Sequence, residues 1–443
     1  MEVVIIGGIA AGMSIAAKAK RVNRKSNVTV IEKENYVSFG ACGLPYYLGG
    51  QFDDGNMMMV RSPEQIRDAG INLLLEHEAI DIDFDKKTVK VKDLTSGEII
   101  SKDYDRLAIA TGAMPIIPKV EGVNSQNVYT ITRLNQVTEF KEKLEDYKNI
   151  VVIGGGFIGV ETAEQLAHLG KNVSLVNRSG YLMRKAFDPE FSDKIRMGLE
   201  EDGVKVLVNR QLEGFTVEGS KVTKVVTQEE ILEADAVVLA LGFKPNTAFI
   251  SDEIEKLANG ALVIDEYGRT SIEDVYSAGD CATVENKLMG TVYSPLATYA
   301  NKMGRLIGEN IVSSEDKAYI KGLGSSMIKA GNYGAGVTGL TEKAAKDIGL
   351  DYKTSFVKTK NHAGYWPKNQ ADIFIKLVYD KKTRVILGGQ IFGGQGAVER
   401  IHALSVAVYK ELTVDELGFM DFAYAPPFAS TWDALNVAGN ASK

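Results

Sequence analysis

Ile150-Val151-Val152-Ile153 runs straight into Gly154-Gly155-Gly156-Phe157-Ile158-Gly159. Four consecutive apolar residues ending at a glycine turn read as a parallel strand buried on both faces. The three glycines of a G-x-G-x-x-G turn stand at Gly154, Gly156 and Gly159. Val160–Leu169 reads as a helix, and Asn172–Val176 as the next strand. Strand, glycine turn and helix together are a dinucleotide-binding βαβ unit, with the helix N-terminus aimed at a pyrophosphate. Phe157 and Ile158 within the turn and Glu161 at the start of the helix are candidate nucleotide contacts. The second strand does not end in an acid. It ends at Asn177, followed by Arg178, with Arg184 six residues further on. A missing acid with arginines nearby suits the 2′-phosphate of NADPH, with NADH as the other nicotinamide option. The same arginines also read as a solvated surface patch.

The pattern has a copy at the start of the chain. Val3–Ile6 predicts a buried strand, Gly7, Gly8, Ala10, Ala11 and Gly12 form the turn, and Ala10–Val22 predicts a helix. Val28–Ile31 predicts a second strand that ends at Glu32 and Lys33, and Glu32 lies twenty residues after Gly12. A carboxylate there can bond a ribose hydroxyl. The middle fingerprint position is Ile9 rather than glycine, so this copy alone also reads as an ordinary tight strand–helix turn. Two such units predict two bound dinucleotides.

Around the two units the chain is organised simply. Ala79–Asp105 alternates apolar and polar residues and predicts a small antiparallel meander. Arg106–Ala110 predicts a buried strand ending in Thr111-Gly112-Ala113, and Ala234–Leu241 another. Val275-Tyr276-Ser277-Ala278-Gly279-Asp280 predicts a short strand presenting the Asp280 carboxylate just before an apolar helix. Cys281 reads as a small buried filler. Beyond about residue 322 there is no third fingerprint; Ile373–Tyr379 and Arg384–Phe392 predict a hairpin and Val398–Tyr409 an amphipathic helix. The expected organisation is α/β: two Rossmann-like dinucleotide-binding domains and a C-terminal α+β domain suited to an oligomer interface. The expected boundaries are 1–113 with 245–321 for the first domain, 114–244 for the second and 322–443 for the last.

Composition narrows the function classes. The 443 residues carry a net charge of −7 with 45% apolar and 25% charged residues, which suits a globular chain and argues against nucleic-acid binding. Two cysteines cannot build a disulfide scaffold, so a reducing, cytoplasmic setting is expected. The N-terminus shows no signal-peptide pattern, and no apolar run approaches the roughly 18–20 residues of a membrane span.

Ser38-Phe39-Gly40-Ala41-Cys42-Gly43-Leu44-Pro45-Tyr46-Tyr47 follows the first unit. Together with the two glycine turns, Thr111-Gly112 and Tyr276–Asp280, it resembles the two-dinucleotide flavoprotein disulfide reductases over essentially the whole chain. Within them it resembles the single-cysteine branch, which includes coenzyme A disulfide reductases, NADH oxidases and NADH peroxidases. Members with an internal redox disulfide carry a second cysteine where this chain has Tyr47. Oxidases and peroxidases carry a histidine at the position of Ala10, and family members often carry a polar residue at that of Ala41. Tyr365 in His362–Pro367 and Tyr424 in Tyr424–Phe428 match two tyrosines of coenzyme A disulfide reductases.

The resemblance implies FAD in the first unit, NADPH or NADH in the second, and a homodimer with shared active sites. It implies that Cys42 attacks a disulfide as thiolate and is held as a mixed disulfide until electrons return through the flavin. A helix beginning within Gly43–Leu48 would favour the thiolate. Tyr365 and Tyr424, reaching across from the other subunit, would protonate the leaving thiolate, since a phenol of pKa about 10 carries its proton at neutral pH. Ser14, Lys18 and Arg21 fall at i, i+4 and i+7 on one face of the first helix, where the two cations can meet coenzyme A phosphates or simply form a solvated stripe. Ser38 and Asn301 complete the expected substrate contacts. The alternatives are an oxidase or peroxidase using a Cys42 sulfenic acid, a coenzyme A persulfide or polysulfide reductase, and a flavin-bearing redox sensor.

Overall fold

The structure, a computed structural model, describes Met1–Lys443 and divides into two compact units. The first comprises Met1–Gly43, Asp54–Ile116 and Phe243–Gly322. Its centre is a five-stranded parallel sheet in the order Val275–Ser277, Arg106–Ile109, Glu2–Ile6, Asn27–Ile31, Asn72–Leu74. Val3, Val4, Ile5 and Ile6 are all buried, as a strand covered on both faces requires. Each such side chain contributes on the order of 1.5–3 kcal/mol by leaving water.

The helix Ala10–Val22 packs Met13, Ile15, Ala16 and Ala19 against this core. Its outer side receives the helix Ala297–Asn310 at backbone distance. A Cβ on Gly304 would stand 2.5 Å from the Ala11 carbonyl oxygen, and one on Gly308 would stand 2.4 Å from that of Ile15. The expected meander is present as three antiparallel strands, His77–Asp83, Thr88–Asp93 and Ile99–Asp103. The helix expected directly after Asp280 is not. A hairpin, Val284–Asn286 with Gly290–Val292, intervenes, and the helix begins at Ala297. Asn286 closes the turn by accepting the Leu288 and Met289 N–H groups, and Gly290 supplies the left-handed backbone at φ 71°.

The second unit comprises Leu44–Asp53, Ile117–Gly242 and Leu323–Lys443. It holds a second parallel sheet in the order Lys205–Val208, Asn172–Asn177, Asn149–Ile153, Ala236–Leu239, Val128–Tyr129. The helix after the glycine turn spans Phe157–His168, three residues earlier than the expected start at Val160. Gly159 therefore sits inside its first turn, where a Cβ would fall 1.8 Å from the Gly154 carbonyl oxygen. The helix tolerates Gly159 at its start because the turn needs that close approach.

The C-terminal part is a five-stranded antiparallel sheet in the order Ser326–Ala330, Tyr333–Gly339, Ile386–Gly393, Asp372–Asp380, Tyr352–Lys360. The single helix expected over Val398–Tyr409 is a 3₁₀ turn, Val398–Arg400, leading into the α-helix Ile401–Tyr409. Lys376 is buried in this unit and pairs with three carboxylates: Asp188 at 3.1 Å, Glu342 at 2.6 Å, and Glu190. Gln390 donates to Asp188 at 2.6 Å and accepts the Asp188 N–H at 2.8 Å. Burial alone would lower the Lys376 pKa, but the bonds to Glu190 and Glu342 outweigh it and hold the ammonium charged. No helix is long and apolar enough to cross a membrane.

Candidate active site

In the first unit the two strand ends and the helix start form a cradle for an anionic group. The helix Ala10–Val22 has no side-chain cap at Ile9 and no acid in its first turn. The N–H groups of its first turn are left for an outside acceptor. Gly7 takes φ 102°, where a Cβ would collide with the Ala110 carbonyl oxygen at 2.2 Å, and a Cβ on Gly12 would lie 1.7 Å from the Gly7 oxygen. Glu32 is buried at the end of its strand; it accepts the Gly8 N–H at 2.6 Å and the Glu34 N–H at 2.9 Å. That fixes a carboxylate beside the glycine turn, as ribose binding requires. Lys33 turns instead toward Glu78, at 3.6 Å.

Thr111 and Gly112 follow the strand Arg106–Ile109, and Asn246 N–H closes onto the Gly112 carbonyl at 2.9 Å. Asp280 is half-buried, and burial pushes its carboxyl above the usual range. A carboxylate so desolvated gains from a hydroxyl partner such as a ribityl chain offers. These residues fit the flavin dinucleotide that the sequence implies. Cys281 is fully buried, with its thiol pushed up by burial and directed at the Ile109 and Ala278 carbonyl oxygens, which leaves it inert.

Cys42 is exposed in a 3₁₀ turn, Ala41–Gly43, that precedes the short helix Leu44–Leu48. The turn is tied to the first glycine turn through Ser38. Ser38 donates its N–H to the Gly8 carbonyl at 3.0 Å and accepts the Val60 N–H at 3.0 Å, holding a left-handed φ of 52°. Such a backbone costs on the order of 1–3 kcal/mol and persists where surroundings over-determine it. Its backbone therefore does the positioning.

The proposed substrate face on the first helix divides in two. Ser14 donates to Asn301 at 3.1 Å, and Asn301 is anchored to the Ala297 carbonyl at 2.9 Å. Lys18 is already paired with Glu309 at 2.9 Å, whereas Arg21 is exposed.

In the second unit Asn177 takes the place that Glu32 holds in the first. Its Oδ1 accepts the Gly155 N–H at 3.1 Å, and its Nδ2 donates to the Ser179 and Tyr181 carbonyls at 3.0 Å each. A neutral amide performs the structural task of the carboxylate and removes its charge. Arg178 and Arg184 are exposed close by and belong to no ion pair. The helix Phe157–His168 likewise has no side-chain cap at Gly156 and no acid in its first turn. Ile158 and Phe157 are partly exposed at its start. One turn on, Glu161 accepts the Tyr46 hydroxyl at 3.3 Å, and burial pushes its carboxyl up to about 7, moderated by that bond and reinforced by the charge of Glu164. Nothing local in the sequence marks Tyr46, because its partner lies 115 residues away.

Tyr365 and Tyr424 are brought together: their hydroxyls hydrogen-bond to each other, and both rings are largely exposed. The bond from Tyr365 pushes the Tyr424 phenol above its usual value.

The profile of the pyridine nucleotide-disulphide oxidoreductases matches residues 1–304, and that of their dimerisation domain matches residues 325–435. An NAD(P)H coenzyme A polysulfide/persulfide reductase from Pyrococcus horikoshii is 37% identical over 450 residues, covering 100% of this chain and 98% of that protein. An NADH oxidase from Enterococcus faecalis is 33% identical over 444 residues, covering 100% and 99%. An engineered form, bound to NADPH, of the water-forming NADH oxidase from Lactobacillus brevis superposes with a TM-score of 0.95 at 32% identity, covering 100% and 98%. The family binds FAD and NAD(P)H, in keeping with the two cradles. Matched along nearly its whole length, the chain belongs to the pyridine nucleotide-disulphide oxidoreductases, FAD-dependent enzymes that oxidise NAD(P)H.

Proposed function

We propose that this chain uses NADPH to reduce coenzyme A disulfide, or a mixed disulfide of coenzyme A, through a single reactive cysteine. The observation that carries the reading is the placement of Cys42: exposed, on a turn tied to the first glycine turn, with Tyr47 where a second cysteine would stand and Cys281 sealed in the core. A lone accessible sulfur must take its partner from outside. FAD, when bound, relays two electrons from NADPH to sulfur.

The Cys42 thiolate attacks one sulfur of the substrate disulfide. The substrate S–S bond breaks, a Cys42–S–S–CoA bond forms, and one coenzyme A leaves as thiolate. Tyr424, hydrogen-bonded to Tyr365, carries the proton that this thiolate takes up. In a homodimer the pair would serve the other protomer's Cys42. Two electrons then cleave the mixed disulfide, returning the Cys42 thiolate and a second thiolate that is protonated on release. The sum is one disulfide, one NADPH and one proton giving two thiols and NADP⁺. Positioned acid catalysis of this kind contributes roughly 10²–10⁴-fold.

NADPH is supported by the second cradle. The engineered oxidase bound to NADPH replaces an Asp by Ala, sets Arg and Ser directly after it, and adds a second Arg six residues beyond the first. This chain carries Asn177-Arg178-Ser179, with Arg184 at the same spacing. A coenzyme A-linked substrate is supported by the name of the Pyrococcus horikoshii relative, which also keeps a persulfide of coenzyme A within the substrate class. The second reading, an NADH oxidase with Cys42 as sulfenic acid, is favoured by the Enterococcus faecalis relative and opposed by Ala10.

Mass spectrometry of the purified protein separates the two. Coenzyme A attached to Cys42, released by NADPH, is expected. An added oxygen on Cys42, with oxygen consumed briskly in the absence of any disulfide, would refute the proposal.

A further inference from the structure

The geometry points to Arg400 as a positioning residue that holds the Tyr365 and Tyr424 loops in one register, so that the two phenols meet. This rests on the role given above to those tyrosines.

The loops lie 59 residues apart in sequence, and each is short and exposed. Tyr365 follows Asn361 by four residues, and Tyr424 precedes Phe428 by four. The two N–H groups of Arg400 Nη2 are shared among three acceptors: the Asn361 carbonyl at 3.1 Å, the Phe428 carbonyl at 3.2 Å and the Asp433 carboxylate. One nitrogen thus touches the stem of both loops. The rest of the guanidinium is fixed around it. Nε and Nη2 meet the Asp433 carboxylate at 2.9 Å and 2.7 Å, and Nη1 reaches the Gly396 carbonyl.

Asp433 is itself held. It accepts the Leu435 N–H at 2.9 Å, and its own N–H bonds Asn436 at 3.0 Å, capping the helix Ala434–Asn440. Both members of the pair are shielded, with the Arg400 side chain 13% and the Asp433 side chain 8% exposed. Each loop also braces itself locally. Asn361 Nδ2 donates to the Asn369 and Gln395 carbonyls, and the Trp366 N–H closes onto Ala363. On the other loop the Phe428 and Ala429 N–H groups close onto Ala425. Apart from the Asn361 bond to Gln395, 34 residues on, the bracing is short-range, and none of it joins one loop to the other. Arg400 joins the two stems, and the tyrosine hydroxyls join the two tips.

Only arginine suits this position. A planar fork can bind a carboxylate edge-on while its outer N–H bonds reach carbonyls on either side; an ammonium is a point donor that cannot span them. Arg400→Lys keeps the buried charge and the bond to Asp433 but releases the stems. It is therefore the informative variant, and Arg400→Gln is the harsher control.

The test reads the phenols directly. The FAD-loaded full chain is labelled with 3-fluorotyrosine, and the Tyr365 and Tyr424 signals are assigned from Tyr365→Phe and Tyr424→Phe. In the otherwise unaltered chain Tyr424 should titrate above the value of free 3-fluorotyrosine measured in the same buffer. In Arg400→Lys it should fall back toward that value. Turnover of coenzyme A disulfide should drop roughly tenfold, part of the roughly 10²–10⁴-fold that positioned acid catalysis contributes, while the rate of flavin reduction by NADPH stays unchanged. An unchanged Tyr424 titration in a folded Arg400→Lys chain overturns the proposal. So does an equal loss in the flavin-reduction rate, which would mark general structural damage. If Tyr424→Phe turns over the disulfide at full rate while Arg400→Lys still shifts the titration, the clamp stands and the tyrosines' catalytic role falls.

Discussion

Replacing Glu161 by Gln should stabilise the protein in alkaline solution and do progressively less as pH falls. Glu161 is mostly enclosed and accepts one hydroxyl bond, from Tyr46. Its carboxyl is raised from 4.5 to about 7, first because burial disfavours the charged form and then because Glu164 adds a like charge. A raised acid favours the folded state while protonated. Its contribution is fully present below 4.5 and is lost as pH climbs through about 7. Taking 1.36 kcal/mol per pH unit of displacement, the full loss above pH 7 is about 3 kcal/mol, of which about 2 kcal/mol develops between pH 5.5 and 8.5. Glutamine never ionises and can still accept the Tyr46 hydroxyl.

Melting of the wild-type and Glu161→Gln proteins, followed by scanning calorimetry at both pH values with chelator present, reads the difference. The variant's advantage should grow on going from pH 5.5 to 8.5 by roughly 4–8 °C for a unit of this size. An advantage that is the same at both pH values, or larger at pH 5.5, would refute the argument that an enclosed carboxyl titrates near neutrality there.

Two further outcomes follow from the same geometry. Arg178→Ala should weaken NADPH by roughly 10- to 100-fold in KM, the worth of one charge-assisted bond to phosphate, and change the KM for NADH far less; an unchanged NADPH-to-NADH ratio removes the 2′-phosphate assignment. Lys376→Met should cost about 3–5 kcal/mol by leaving the buried Asp188 carboxylate uncompensated, measurable as a lowered melting temperature, and a melt equal to wild type would show that the carboxylates find other partners.

The sequence was most legible where its signals were local. The two strand–glycine–helix units are set by runs of four or five apolar residues and by glycines a few positions apart, and Ala10–Val22 was read to its termini. Sequence alone starts the second helix late because Gly156 and Gly159 lower helix propensity, whereas the close approach to Gly154 demands Gly159 there. Sequence alone misplaces the helix after Asp280 because Cys281–Val284 is mostly apolar and nothing local announces that Asn286 will turn the chain back. The long-range partners stayed hidden. Tyr46 meets Glu161 across 115 positions, and Lys376 meets Glu190 across 186. No periodicity in a single chain encodes such pairings. In sequence Asn177 is simply a missing acid; that it still ties down the Gly155 N–H appears only in three dimensions.

The cluster around Lys376 also bears on how this chain can be recombined. Asp188 and Glu190 stand at the start of a helix beside the second nucleotide sheet, whereas Lys376, Glu342 and Gln390 come from the C-terminal sheet and its flanking helix. A chimera spliced anywhere between residues 191 and 341 draws the two halves of this cluster from different parents. Unless both parents carry matching groups, the hybrid inherits an orphaned charge in its interior. The nucleotide-binding and C-terminal segments therefore form a single unit of inheritance, even though two separate sequence profiles describe them.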